Sequence, residues 1–149
     1  MSVKEIKELT ERIFQIFNSV QGDMVRLKTA NWDSIFSPDF IIHFTNRDMN
    51  LGQFIEYNAA LFTAFPDSHF TIDDMIAAED KVVTRYTLKG THKKGYMGIP
   101  PTGKQIEVKG VSIDRFVEGK DAETWDFPDT LGAMMQIGAI PSASSKSSK

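Results

Sequence analysis

The main change in the hydrophobic period of this chain falls at Pro66-Asp67, and that change limits the folds open to it. Before this point apolar residues recur at near-helical spacing; beyond it they alternate. Val3, Ile6, Leu9, Ile13, Phe14, Ile16, Phe17 and Val20 predict an amphipathic first helix with Lys and Glu between them. Gly22-Asp23 reads as a stop and a new cap, and Met24, Leu27, Trp32, Ile35 and Phe36 predict a second helix ending before Ser37-Pro38. Asp39 to Thr45 is a short apolar strand candidate, Asn46 to Asn50 a polar loop, and Leu51 to Phe65 a third helix. Alternating runs then occupy 69–79, 81–92, 104–117 and 121–127, separated by Glu79-Asp80, Gly98 to Gly103 and Glu118-Gly119. These are antiparallel strands joined by turns. Asp129 is placed to cap a last helix, Thr130 to Ile137, closed by Gly138. Helices first and strands afterwards predict an α+β fold, with helices on one face of a meandering sheet.

With 149 residues, 41% of them hydrophobic, the chain suffices for one core and not comfortably for two. We expect a single domain over 1–141 and a disordered Ser/Lys-rich tail over 142–149. A net charge of -3 without a Lys/Arg cluster argues against nucleic acid as a partner. There is no cysteine, so disulfides, a thiol nucleophile and thiolate metal sites are excluded. The charged opening MSVKEIKELTER and the lack of a long apolar run predict a soluble, cytoplasmic protein with no membrane partner. The three histidines, His43, His69 and His92, have no second ligand at helical or hairpin spacing, so no metal is expected.

Two strands bear on function. In 82–92 the alternation puts Val82, Thr84, Tyr86, Leu88 and His92 on one face, which makes it the inner one. In 104–117, Ile106, Val108, Ser112, Asp114 and Phe116 share one side, while Val111, Ile113 and Val117 share the other, so both faces are partly apolar. A second copy of the sheet is the simplest cover for the outer face, which predicts a homodimer. The stretch AETWDFPD sets Asp126 between Trp125 and Phe127. On a strand buried on one side only, the aromatics would face the core and Asp126 the solvent. Two-sided burial reverses this, turning Asp126 and Thr124 into a cavity under the helices. An apolar cavity disfavours the ionised carboxylate and raises its pKa, which makes a general acid or base near neutral pH.

The segments "GTHKKGYMGIPPTGKQIEVKG" and "RFVEGKDAETWDFPDTLGAMMQIG" resemble the SnoaL-like polyketide cyclase, or ester cyclase, family, part of the nuclear transport factor two-like superfamily. The resemblance includes "FSPDFIIHF" and "AFPDSHFTIDDMIAAEDKVVTRYTLKGTH" and stops at about Pro141. It implies a cone-shaped α+β fold with N-terminal helices packed into a strongly curved, mainly antiparallel sheet that encloses an apolar pocket. It also implies dimers formed through the sheet. Characterised members close a ring of an aromatic polyketide methyl ester by intramolecular aldol condensation, without metal or organic cofactor. Their acid/base aspartate falls at Asp126. The histidine that accompanies it aligns with Ser112, and a pocket asparagine falls near Ile42 or His43, so the partner groups differ here.

The expected function is therefore cofactor-independent acid/base catalysis by Asp126 on a hydrophobic carbonyl or ester small molecule. His43, Tyr86, His92, Ser112 and Thr124 are the pocket candidates, as hydrogen-bond donors to an enolate oxygen or orienters of a carbonyl. The competing expectations are isomerase, dehydratase or hydrolase chemistry on the same fold, or a dimeric module that binds a small ligand without chemistry.

Overall fold

A computed structural model describes residues 1–141. The expected tail at 142–149 lies outside the described residues. Helix α1 spans Val3–Ser19 and begins with a capping box, in which the Glu5 amide donates to Ser2 Oγ and the Ser2 amide to Glu5 Oε1. Its buried stripe is Ile6, Thr10, Ile13 and Phe17. The expected second helix is cut short: α2 covers only Met24–Thr29, and a single 3-10 turn follows at Trp32–Ser34. Extended backbone at Ala30 ends α2, and Trp32 turns back so that its Nε1 donates to the Leu27 carbonyl at 2.8 Å. Strand β1 therefore starts earlier than expected, at Phe36–His43, with Pro38 inside it. Its pairing to β6 is interrupted between Phe36 and Ile41, so the proline's missing N–H removes no ladder bond.

The expected loop at 46–50 contains a three-residue strand, β2, Asp48–Asn50, paired antiparallel to β1. Helix α3 is Leu51–Ala64, capped by Asn50 and Gln53. Strands β3 (His69–Ala78), β4 (Lys81–Thr91), β5 (Gln105–Val117) and β6 (Lys120–Pro128) follow as expected, and α4 is Thr130–Gln136. Asp129 caps α4, its Oδ1 accepting from the Gly132 amide at 2.9 Å. The β5–β6 turn places Glu118 and Gly119 at positive φ, the geometry whose twist matches a tight hairpin.

The sheet order is β2-β1-β6-β5-β4-β3, with β1 and β6 parallel and every other pair antiparallel. Helices α1 and α3 lie in its concave face. Phe17 is the hinge of the main core, with ring centroids of Trp32, Phe54, Phe62 and Phe70 5.4 to 6.1 Å away. Burying a phenylalanine so completely contributes about 1.5–3 kcal/mol. A second core, around Phe65, Leu88, Ile106, Val108 and Ile137, closes the other end of the sheet beneath α4.

Candidate active site

The concave face leaves a cavity of about 60 Å³ against the main core. Its roof is apolar: Ile13, Phe14 and Phe17 from α1, Phe54 from α3, and Phe36, Phe40 and Ile42 from β1. Its floor is polar, carried by the central strands: Tyr86 on β4, Ser112 and Asp114 on β5, Thr124 and Asp126 on β6. Register explains the gathering. Gly110 lies opposite both Tyr86 and Pro128, Ser112 lies opposite Asp126, and Asp114 opposite Thr124. Alternate residues on three adjacent strands thus point into one space.

Asp126 is held by Tyr86, whose hydroxyl donates to Oδ1 at 2.8 Å. Burial pushes the Asp126 carboxyl up to about 7; the Tyr86 bond pulls against that and the nearby Asp114 carboxylate adds to it. Tyr86 itself is pushed well above the usual phenol value by burial and by Asp126 beside it, so it stays a donor. Trp125 and Phe127 occupy the opposite face, Phe127 being 50% exposed. The Ser112 hydroxyl is buried and has no hydrogen-bond partner. Thr10 and Asn58 also line the cavity, but each bonds a carbonyl of its own helix, Ile6 and Phe54 respectively.

Of the candidates read from sequence, Tyr86, Ser112, Thr124 and Asp126 come together. His43 and His92 do not. His43 points to the outer face, where its Nδ1 lies 2.8 Å from Asp48 Oδ1 and its Nε2 2.7 Å from Glu123 Oε2, with the ring stacked on Trp125. These carboxylates, Glu123 first, hold its pKa above the usual histidine value. Alternation on β1 explains the outcome: Ile42 faces the cavity, so His43 cannot. His92 is on the inner face as expected, but past the cavity, in the second core. Its ring stacks on Phe65 and its Nδ1 pairs with Thr102 Oγ1 at 3.0 Å. It braces the loop from Gly98 to Gly103 rather than the cavity.

Three residues of the site escaped sequence reasoning as chemistry. Asn58 sits four residues from both Phe54 and Phe62 on the apolar stripe of α3, a spacing that could have flagged it. Asp114 was visible on the inner side of β5 but carried no motif. Asp121 had no signal: counting by twos from Asp126 puts it outside, and an irregular register between Arg115 and Phe116 turns it in, to complete burial. There it meets Asp114 and Thr124, with Thr124 Oγ1 2.7 Å from Asp114 Oδ1 and 3.2 Å from Asp121 Oδ1. Among the described residues no set of three or more His, Asp or Glu side chains stands in metal-binding geometry, and no helix is long and apolar enough to cross a membrane.

The sequence pattern of SnoaL-like polyketide cyclases matches residues 18–137. Aklanonic acid methyl ester cyclase DnrD of Streptomyces peucetius is 33% identical over 57 residues, which span 38% of this chain and only 39% of the cyclase. Over the whole fold, the structure of AclR, a candidate hydroxylase from Streptomyces galilaeus, superposes with a TM-score of 0.82 at 26% identity, covering 99% of this chain and 94% of AclR. A candidate SnoaL-like polyketide cyclase from Jannaschia sp. CCS1 gives 0.79 at 26% identity, covering 93% of this chain and 94% of that one.

Proposed function

The chain belongs to the SnoaL-like polyketide cyclase family, and from that premise we propose that it is a cofactor-independent acid/base enzyme which closes a ring in a hydrophobic carbonyl or ester substrate by intramolecular aldol condensation. The observation that carries this reading is Asp126: a carboxyl at the floor of an apolar cavity, pushed up to about 7, with one phenol donating to it. A base at that value is substantially ionised at neutral pH and becomes a competent acid once it has taken a proton. Asp126 removes the proton beside the carbonyl, and Tyr86 keeps the carboxylate oriented. Ser112 stands where the cyclases resembled here carry a histidine. Its free hydroxyl is a donor for the enolate or carbonyl oxygen, though it cannot itself hold a proton at neutral pH as imidazole can.

The cavity volume bears on substrate size. About 60 Å³ holds a few water molecules. A polyketide enters only if the aromatic roof turns aside, and Phe14, half-buried on α1 between Phe70 and Tyr86, is the side chain best placed to do so. The same small volume favours a second reading, a module that binds a small ligand without chemistry. Proton exchange separates the two. Wild-type protein in D2O with enolisable aryl ketones and methyl esters should exchange the α-proton above the buffer rate, and Asp126→Asn should lower that rate roughly 10²-fold or more. Binding without exchange for every member of the set would favour the module.

We further propose that the protein is a cytoplasmic homodimer. A chain without cysteine needs no oxidising compartment. On the convex face, Val111 lies opposite Phe127 and Ile113 opposite Trp125, four apolar side chains in one partly exposed patch. The equivalent patch of a second copy is a self-complementary cover. Sedimentation should give a dimer, and Phe127→Lys a monomer.

A further inference from the structure

Behind the cavity floor, two carboxyl groups and one hydroxyl share too few protons unless one carboxyl is protonated. Thr124 has a single hydroxyl proton, yet its Oγ1 lies 2.7 Å from Asp114 Oδ1 and 3.2 and 3.3 Å from the two Asp121 oxygens. That proton goes to Asp114, the nearest acceptor. Both Asp121 oxygens approach the same Thr124 Oγ1, whose own proton is taken by Asp114, so a second proton is needed there and it sits on Asp121. Burial, then the adjacent Asp114 charge, lifts Asp121 well above the usual carboxylate range, which keeps that proton in place. Asp121 is wholly buried, whereas Asp114 lines the cavity. A second observation points the same way. Ser112, only 6% exposed and with an unpartnered hydroxyl, lines the same wall, two residues from Asp114 on its strand and directly across from Asp126.

We propose that Asp114 is a second catalytic residue of this cavity, the acid that protonates the developing alkoxide, and that Asp121 is the positioning residue that holds the proton against it. The inference rests on the aldol reading above and assigns the second half of its proton traffic. Asp126 takes the α-proton, and the C–H electron pair becomes that of the enolate. The enolate carbon forms the new C–C bond to the ketone carbon. The ketone's π pair moves onto its oxygen, which takes a proton from Asp114 as Thr124 passes its hydroxyl proton to Asp114 and receives that of Asp121. After the product leaves, Asp126 releases its proton to solvent and the pair takes one back from solvent, which restores both groups. No proton is gained or lost overall, and no oxidant or co-reactant is needed. The remaining titratable groups near this wall are Tyr86 and Tyr57, both lifted by burial and held as neutral phenols.

The test uses one aryl methyl β-keto ester with a ketone arm on the same ring, able to close a six-membered ring. Its α-proton exchange in D2O and its ring closure are followed together by NMR. Asp114→Asn should lower the ratio of closure to exchange roughly 10²-fold, the contribution expected of a general acid. Asp121→Asn should lower it as well and move the pH at which closure falls off, a change that a purely structural role would not cause. Both replacements keep the shape of the side chain, and a thermal melt of each checks that it folds. A closure-to-exchange ratio unchanged in Asp114→Asn overturns the second acid and leaves Asp126 and the aldol reading standing. A wild-type protein that neither exchanges nor closes the probe overturns the aldol reading and this assignment together. Carbon NMR of the Asp121 carboxyl adds an arm free of activity: a protonated group at pH 7 supports the pair, and an ionised one overturns it.

Discussion

The Tyr86 hydroxyl donates to Asp126 Oδ1 at 2.8 Å from the neighbouring strand but one, across the side-chain-free backbone of Gly110. Tyr86 lies directly opposite Gly110 on β4, and β6 lies beyond, so the phenol reaches over β5 to the carboxyl. The bond favours the ionised form of Asp126 and is the main force opposing burial. Tyr86→Phe should therefore raise the Asp126 value further, move the acid limb of the pH–rate profile upward, and lower the rate at pH 7 by about tenfold. An unmoved acid limb would remove Tyr86 from the account.

Gly110 has a steric rather than a conformational role. A Cβ there would collide with the Tyr86 hydroxyl and ring. Gly110→Ala should displace the ring, cost about 1–3 kcal/mol of stability by overpacking, and reproduce the pH shift of Tyr86→Phe without touching either partner. Chemical denaturation and the pH profile of the same variant check both parts.

Asp126 also predicts how stability varies with pH. Its folded value, about 7, lies above its unfolded value near 3.8. The folded chain therefore binds the extra proton between these values. The associated stability is complete below pH 4 and is lost as pH rises through 7. Asp126→Asn lacks this dependence, so it should match wild type near pH 4 and exceed it at pH 8, by at most about 4 kcal/mol. Urea titrations at the two pH values measure it; a difference that does not change with pH would mean Asp126 titrates alike in both states.

The sequence made some of this site legible and hid the rest for physical reasons. The change of period at Pro66 located the start of the four long strands β3 to β6, although β1 and β2 of the same sheet precede it. Clean alternation on β4 put Tyr86 inside, and two-sided apolar character on β5 turned Asp126 toward the helices. His92 was placed on the correct face but not at the correct depth, because alternation gives direction and not distance along a strand. His43 failed for the converse reason, direction along β1: Ile42 faces the cavity, so His43 turns outward, where β2 and β6 bring Asp48 and Glu123 to it. The second helix ended early because Trp32 found a bond to the Leu27 carbonyl, a tertiary preference invisible to spacing. Asp121 could not be read at all, since an irregular register changes the face of every residue beyond it. The acid/base pair proposed behind the cavity therefore becomes visible only in three dimensions.

The central claim is that Asp126 is a carboxyl tuned for proton transfer by an apolar cavity, and carbon NMR titration of its side chain tests it most directly, with Asp126→Asn to assign the resonance. The account predicts a midpoint near 7. A midpoint near the ordinary aspartate value of about 4 would mean a solvated carboxylate and would contradict the proposed chemistry.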